Sequence, residues 1–168
     1  MNCPSHVIYQ LTPDDLALMD ALRVTFGQVF NQPDTYTGTP PDADYMRQLL
    51  AGDHFIALVA VKDGVVVGGL AAYELKKFEQ PRSEIYIYDL AVVEAHRRQG
   101  IATALIQQLK QIAAERGVHS IFVQADTEEE DAAAIALYSK LGTREGVLHF
   151  DIALDEQGQR HHSVKGNR

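Results

Sequence analysis

Cysteine is nearly absent from the chain. Cys3 is the only one among 168 residues, so no internal disulfide can form and no structural zinc site built on cysteines is available. Positive charge is scarce: 15 Lys and Arg against 23 Asp and Glu give a formal net charge of −8. A general nucleic-acid binder shows a basic face, and this balance argues against one. The surplus acidity suits a small cationic substrate, and equally suits plain solubility. No apolar run approaches the roughly 18 residues of a membrane span. The opening Met1-Asn2-Cys3-Pro4-Ser5-His6 carries no basic-then-apolar signal pattern. The expectation is a cytoplasmic protein that engages neither membrane nor nucleic acid. Also missing are the Gly-Lys-Ser/Thr of a Walker loop, the Gly-x-Gly-x-x-Gly dinucleotide fingerprint, internal repeats and low-complexity tracts.

What is present is enough chain for one domain with a proper core. Hydrophobic residues make up 46% of it, within the globular range. The division reads as one domain over 1–154 and a polar tail over 155–168. His161 and His162 in that tail read as solvated side chains, and no metal is expected.

The pattern turns on residues 85–117. Ile85 to Val93 is rich in aromatic and β-branched residues, which suits a buried strand. From Gly100 the apolar period changes: Ile101, Leu105, Ile106, Leu109, Ile112 and Ala113 share one helical face, and Gly117 is placed to end the helix. Between them sits Arg97-Arg98-Gln99-Gly100-Ile101-Ala102-Thr103. A helix start offers unpaired N–H groups and the positive end of the macrodipole, which together favour phosphate. Gly100 and the small Ala102 and Thr103 leave room for a ligand, and two arginines add charge. The turn therefore reads as a diphosphate seat, or else as the basic first turn of an ordinary surface helix.

The other elements follow in order. His6–Leu11 alternates as a strand. Thr12 and Pro13 open a helix reaching about Phe30, as N-cap and first helical residue. Asn31–Pro41, with three prolines, reads as a loop. Asp42 or Asp44 caps a short second helix. Phe55–Val61 and Val65–Tyr73 form a hairpin around Asp63-Gly64, with Gly68-Gly69 as a bulge or a close approach. After the core strand and helix, Ser120–Ala125 is a strand parallel to the core strand. Ala132–Leu141 is a helix ended by Gly142, and Val147–Leu154 a last alternating strand. The predicted order is βααβββαβαβ.

Arg97-x-x-Gly100-x-Ala102 resembles the Gln/Arg-x-x-Gly-x-Gly/Ala signature of the GNAT superfamily of N-acetyltransferases, which implies an α/β fold: a mixed sheet, splayed at its core strand, with helices on both faces. The resemblance implies acetyl-coenzyme A as cofactor. Its diphosphate would lie on Arg97, Arg98, Gln99, Gly100, Ile101, Ala102 and Thr103. Its pantetheine arm would lie along Leu90, Ala91 and Val92, beside a bulge in the core strand.

Ala134–Gly142 resembles the family's second motif, which implies Tyr138 as the acid that protonates the departing thiolate; read alone, Tyr138 is a helix tyrosine packing its ring. A phenol titrating near 10 keeps its proton at neutral pH. Asp89, inside an apolar strand, is costly unless paired or facing a cleft, and is the first candidate for the base. Glu84, at the strand entry and acting through water, is the second. Asp126 reads as a cation ligand or a helix-capping acid, and Tyr86 and Tyr88 as lining a site or packing.

A closer resemblance, to the type I aminoglycoside 3-N-acetyltransferases, spans roughly Phe26 to Ile152. It is carried by Phe55–Leu58, Leu70–Tyr73, Phe78–Val92, His96–Ile106, Val123–Asp126, Ala136–Gly142 and His149–Ile152. It implies acetylation of gentamicin-type drugs on the 3-amino group, antibiotic resistance, and a homodimer. The cationic drug would be bound by Glu79, Glu84, Tyr88, Asp89, Asp126 and Asp151. The acidic Glu128–Asp131 loop and the tail depart from that pattern, which leaves the drug range open. Another amine (a polyamine, a metabolite or a protein N-terminus) or a non-catalytic acetyl-coenzyme A sensor are the competing readings.

Overall fold

Strands 2 to 4 follow one another by hairpin connections, the first strand reaches its neighbour through three helices, and the fifth is placed by a helical crossover. In the computed structural model, which describes residues 6–154, β1 (Val7–Gln10), β2 (Phe55–Lys62), β3 (Val65–Lys76), β4 (Ser83–Val92) and β5 (Ser120–Val123) lie side by side in that order. The first three pairings are antiparallel, and β4 pairs with β5 in parallel. The helices are α1 (Leu16–Val29), α2 (Pro33–Thr37), α3 (Ala43–Ala51), α4 (Ile101–Arg116) and α5 (Ala132–Leu141). This is the expected α/β arrangement. The described residues fall into two units that part between Thr127 and Glu128, and each is taken by itself.

In the first unit the sheet buries both faces, and its alternation sorts the residues. Phe55, Ala57 and Val59 of β2 join Ala71, Ala91, Met19, Leu22, Phe26, Met46 and Leu50 in one cluster, under α1 and α3. The intervening Ile56 and Leu58, with Leu70 and Ile85, are almost fully buried, as are Ile101, Leu105 and Leu109 of α4. The β2–β3 turn takes positive φ at both Asp63 and Gly64 (51° and 78°), the backbone that a two-residue hairpin needs. Gly117 ends α4 at φ 69°, as the sequence suggested. Arg116, in the last turn of α4, donates to Glu74 at 2.8 Å and to the Asp53 carbonyl at 2.7 Å, tying that helix end to the sheet.

Several expectations are corrected. Asn31–Pro41 is not wholly loop: Pro33 occupies the first turn of α2, where its missing N–H costs nothing. Helix α1 starts at Leu16, not after Thr12, because the Asp15 carboxylate turns back to accept from the Thr12 N–H (2.7 Å) and hydroxyl (2.8 Å). The β2–β3 bulge falls on Val67: Ala60 opposes Gly68 while Val61 opposes Val66. Gly69 is the close approach; a Cβ there would run into the Leu22 side chain and lie 2.6 Å from the Leu58 carbonyl oxygen. Gly69→Ala is therefore expected to destabilise the fold by about 1–3 kcal/mol; an unchanged urea midpoint would show that α1 lifts freely. Strand β5 ends at Val123, short of Ala125.

In the second unit α5 forms as expected, but residues 143–154 form no strand. Leu148, Phe150 and Ile152 keep their alternation yet stand 83%, 75% and 89% exposed. An alternating segment becomes a strand only where a sheet edge supplies its hydrogen bonds. The tail 155–168, with its two histidines, lies outside the described residues.

Candidate active site

The site begins with one surplus residue in β4. Against β3, Ile87 opposes Ala72 and Asp89 opposes Ala71, so Tyr88 is the surplus residue of a bulge. In a regular strand Asp89 would share a face with Ile85 and Ile87. The extra residue brings it instead to the face of Ala71 and Ala91, under α1 and α2. There the Tyr36 hydroxyl donates to Asp89 Oδ1 at 3.0 Å. The ladder between β4 and β5 stops at Ile87–Val123. Among the described residues, no strand flanks Tyr88–Val92 on that side.

A group of aromatic rings lies near the carboxylate. Tyr88, 54% exposed, meets Tyr73 and Tyr86 edge-on, with centroids 5.8 Å away in each case. Tyr86 stacks on Phe122 at 4.9 Å and donates its hydroxyl to Gln124. Burial, and then the negative charge of Asp89, raises the Tyr36 phenol far above its ordinary range. Burial also raises Tyr73 and Tyr86, with Tyr88 and Asp89 contributing to both and Asp126 to Tyr86. These phenols stay protonated, and those of Tyr36 and Tyr86 donate. Asp89, Tyr88 and Asp126 thus share one neighbourhood.

The turn after β4 has the backbone of an anion cradle. Arg98 (φ 59°) and Gly100 (φ 77°) both adopt left-handed conformations, and such turns point successive N–H groups inward. Helix α4 has no side-chain cap and no acidic residue in its first turn, so the amides of Ile101, Ala102 and Thr103 keep their donor capacity. Ile101, 1% exposed, anchors the helix start. Arg97 Nε donates to the Val92 carbonyl at 3.1 Å, which pins the turn to the strand end. Gln99 accepts from Lys62 at 3.4 Å. Leu90 faces Leu70, while Ala91 and Val92 are buried.

The remaining acids are dispersed. Glu84 and Glu79 both approach Lys77, at 3.7 and 3.1 Å. Glu84 precedes Asp89 by about 15 Å of strand. Tyr138, half-buried on α5, and Asp151, paired with His149 at 3.0 Å, belong to the second unit. Sequence reasoning missed Tyr36. Its signal was the spacing of Phe26 and Phe30, which offers an aromatic shelf to a ring that follows soon after.

A family model described as the acetyltransferase (GNAT) family matches residues 17–143. The chain belongs to that family. Among solved structures, it is similar to an aminoglycoside acetyltransferase from an uncultured soil metagenomic sample: 64% identical, TM-score 0.89, covering 90% of this chain and 99% of that one. A second aminoglycoside acetyltransferase of the same kind of source, in complex with sisomicin, is 32% identical with TM-score 0.81, covering 90% and 97%. Among curated relatives, a probable N-acetyltransferase family 8 member 5 of Mus musculus is 28% identical over 137 residues, which is 82% of this chain. The chain spans only 59% of that relative's length.

GNAT enzymes use acetyl-coenzyme A, and this chain fits that group. The uncapped first turn of α4 and the open space at Gly100, where a Cβ would meet nothing within 4 Å, suit a diphosphate. The flank of β4 left without a strand suits an extended arm. No described helix is long and apolar enough to cross a membrane.

Proposed function

We propose that this chain is an aminoglycoside 3-N-acetyltransferase, moving an acetyl group from acetyl-coenzyme A to the 3-amino group of the deoxystreptamine ring of gentamicin-type drugs. The observation that carries this reading is the 64% identity to an aminoglycoside acetyltransferase across 90% of the chain. The charge balance agrees with it: a polycationic substrate needs carboxylates around its cleft, and Asp89 and Asp126 stand beside the aromatic group formed by Tyr86 and Tyr88.

Acetyl-coenzyme A, when bound, supplies an acetyl group activated as a thioester. Leu90, Ala91 and Val92 would hold its arm, and Arg97–Thr103 its diphosphate. Asp89 would take the proton from the reacting ammonium group, directly or through one water, leaving the amine free to attack the thioester carbonyl, so that a C–N bond would replace the C–S bond with no covalent enzyme intermediate. Asp89 is preferred to Glu84 because it stands at the bulge next to Leu90–Val92, whereas Glu84 precedes it by about 15 Å of strand. Tyr138 holds a phenolic proton for the departing thiolate. Glu79, Asp126 and Asp151 bind the other ammonium groups, and the active form is a homodimer, for which light scattering on the purified chain is the check.

The test is acetyl-coenzyme A consumption across aminoglycosides, polyamines and peptide N-termini, with the product located by mass spectrometry and NMR. Acetyl on the 3-amino group is the expected result. Acetyl on another amine of the drug would overturn the position, and turnover only of polyamines or peptides would overturn the substrate. In the same assay Tyr138→Phe, which keeps the ring and deletes the proton, is expected to lose roughly 10²–10⁴-fold in turnover with little change in coenzyme A affinity. Near-normal turnover would leave Tyr138 a packing residue.

A further inference from the structure

We infer that Tyr36 is the positioning residue of this site, fixing the Asp89 carboxylate in one orientation and holding it in its anionic form. The inference rests on Asp89 being the base, and extends it to a residue 53 positions earlier in the chain.

Tyr36 is held at three points. Its backbone carbonyl accepts from Arg23 Nε at 3.0 Å, and Arg23 is itself mostly buried, with a side chain 12% exposed and a pairing to Asp20 at 2.9 Å. Its ring lies 5.8 Å from both Phe26 and Phe30 of α1. Its helix is locked to α1 by the Gln32 N–H donating to the Gly27 carbonyl at 2.8 Å, and Gly27 is the small residue that lets Pro33 pass, since a Cβ there would sit 3.2 Å from the Pro33 Cα. A short proline-started helix is a poor place to fix a side chain by itself. Here it is bolted to a long one, and what it presents is a single hydroxyl aimed at the bulge.

The chemistry sets the direction of the bond. A carboxylate only accepts, and a buried phenol next to a negative charge keeps its proton, so Tyr36 donates and Asp89 accepts. Hydrogen bonding to the charged form favours that form. Among the described residues, the phenols of Tyr73 of β3 and Tyr86 of β4 also feel Asp89, Tyr88 adjoins it in the chain, and Asp126 bears on Tyr86. On α1, the Arg23 guanidinium is turned to Asp20 and the Tyr36 carbonyl. A base kept anionic to lower pH stays ready for the ammonium form of its substrate, and a base held in one rotamer meets the amine in one geometry.

The test is Tyr36→Phe, which keeps the ring contacts and removes the hydroxyl. The side-chain carboxyl of Asp89 is titrated by carbon-13 NMR in the ligand-free protein, assigned by comparison with Asp89→Asn. Its midpoint is expected to rise by about one pH unit in Tyr36→Phe, and the acidic limb of kcat/KM to move up with it, while coenzyme A affinity is unchanged. Placing 3-fluorotyrosine at position 36, a more acidic phenol, moves the midpoint the other way. An unmoved Asp89 midpoint in both variants would overturn the inference and leave Tyr36 a packing residue. If the midpoint moves but the kinetic limb does not, Asp89 is not the base, and Tyr36 loses its positioning role together with that reading. Loss of folding in Tyr36→Phe, seen by thermal unfolding, would leave the fluorotyrosine titration to decide.

Discussion

Asp89→Asn is expected to lower turnover by roughly 10²–10⁴-fold and to leave coenzyme A affinity within about twofold. The substitution is nearly isosteric, and an amide oxygen can still accept from the Tyr36 hydroxyl, which approaches Oδ1 at 3.0 Å. Packing around Tyr73, Tyr86 and Tyr88 is left as it is, so the unfolding transition should not move. What disappears is a group able to take a proton at neutral pH. Single-turnover measurements at saturating acetyl-coenzyme A isolate that step from product release. Turnover close to wild type would make Asp89 a structural carboxylate whose work is to satisfy Tyr36.

Gly100→Val is expected to weaken coenzyme A binding by more than about a hundredfold, through two effects that a control separates. The first is strain: Gly100 sits at φ 77°, and a side chain there costs about 1–2 kcal/mol. The second is obstruction of the approach to the amides of Ile101, Ala102 and Thr103. No clash inside the protein contributes, because a Cβ at Gly100 meets nothing within 4 Å. Gly117, at the other end of the same helix, has φ 69° and equally open surroundings. Gly117→Val carries the same kind of strain without standing at the seat. Isothermal titration with coenzyme A should find Gly117→Val near wild type and Gly100→Val without measurable binding. Equal losses in the two would assign the effect to strain in α4 and remove the turn from the site.

The strand–turn–helix at the centre of the site was legible because its chemistry is local. A change of apolar period marks the end of β4 and the start of α4, and the glycines at 100 and 117 stand where the backbone takes positive φ. Asp63-Gly64 was legible for the same reason. Tyr36 was not, because α2 is one short turn whose position depends on Gly27, Arg23 and the Phe26–Phe30 shelf rather than on its own residues. The bulge came from family likeness, although its trace is written in the strand: Ile85 and Ile87 keep one phase, and Leu90 and Val92 resume it one residue late. The error over Val147–Leu154 was of the opposite kind. Alternation states what a segment could pair with, and only a neighbouring edge makes it pair.

Tyr88 has a consequence for how this sheet could change over generations. Without that residue, Ile87 would run straight into Asp89 and every later side chain would keep the face it has now, since the surplus residue takes no part in the count. The core would survive the loss. The bend would not, and a straight β4 could continue beside the chain that follows Val123, closing the flank proposed for the cofactor's arm. A one-codon deletion at this position would thus be nearly silent for folding and severe for binding. The open flank of β4 is an interruption inserted into an otherwise continuous pairing, and it can be lost or gained in a single step.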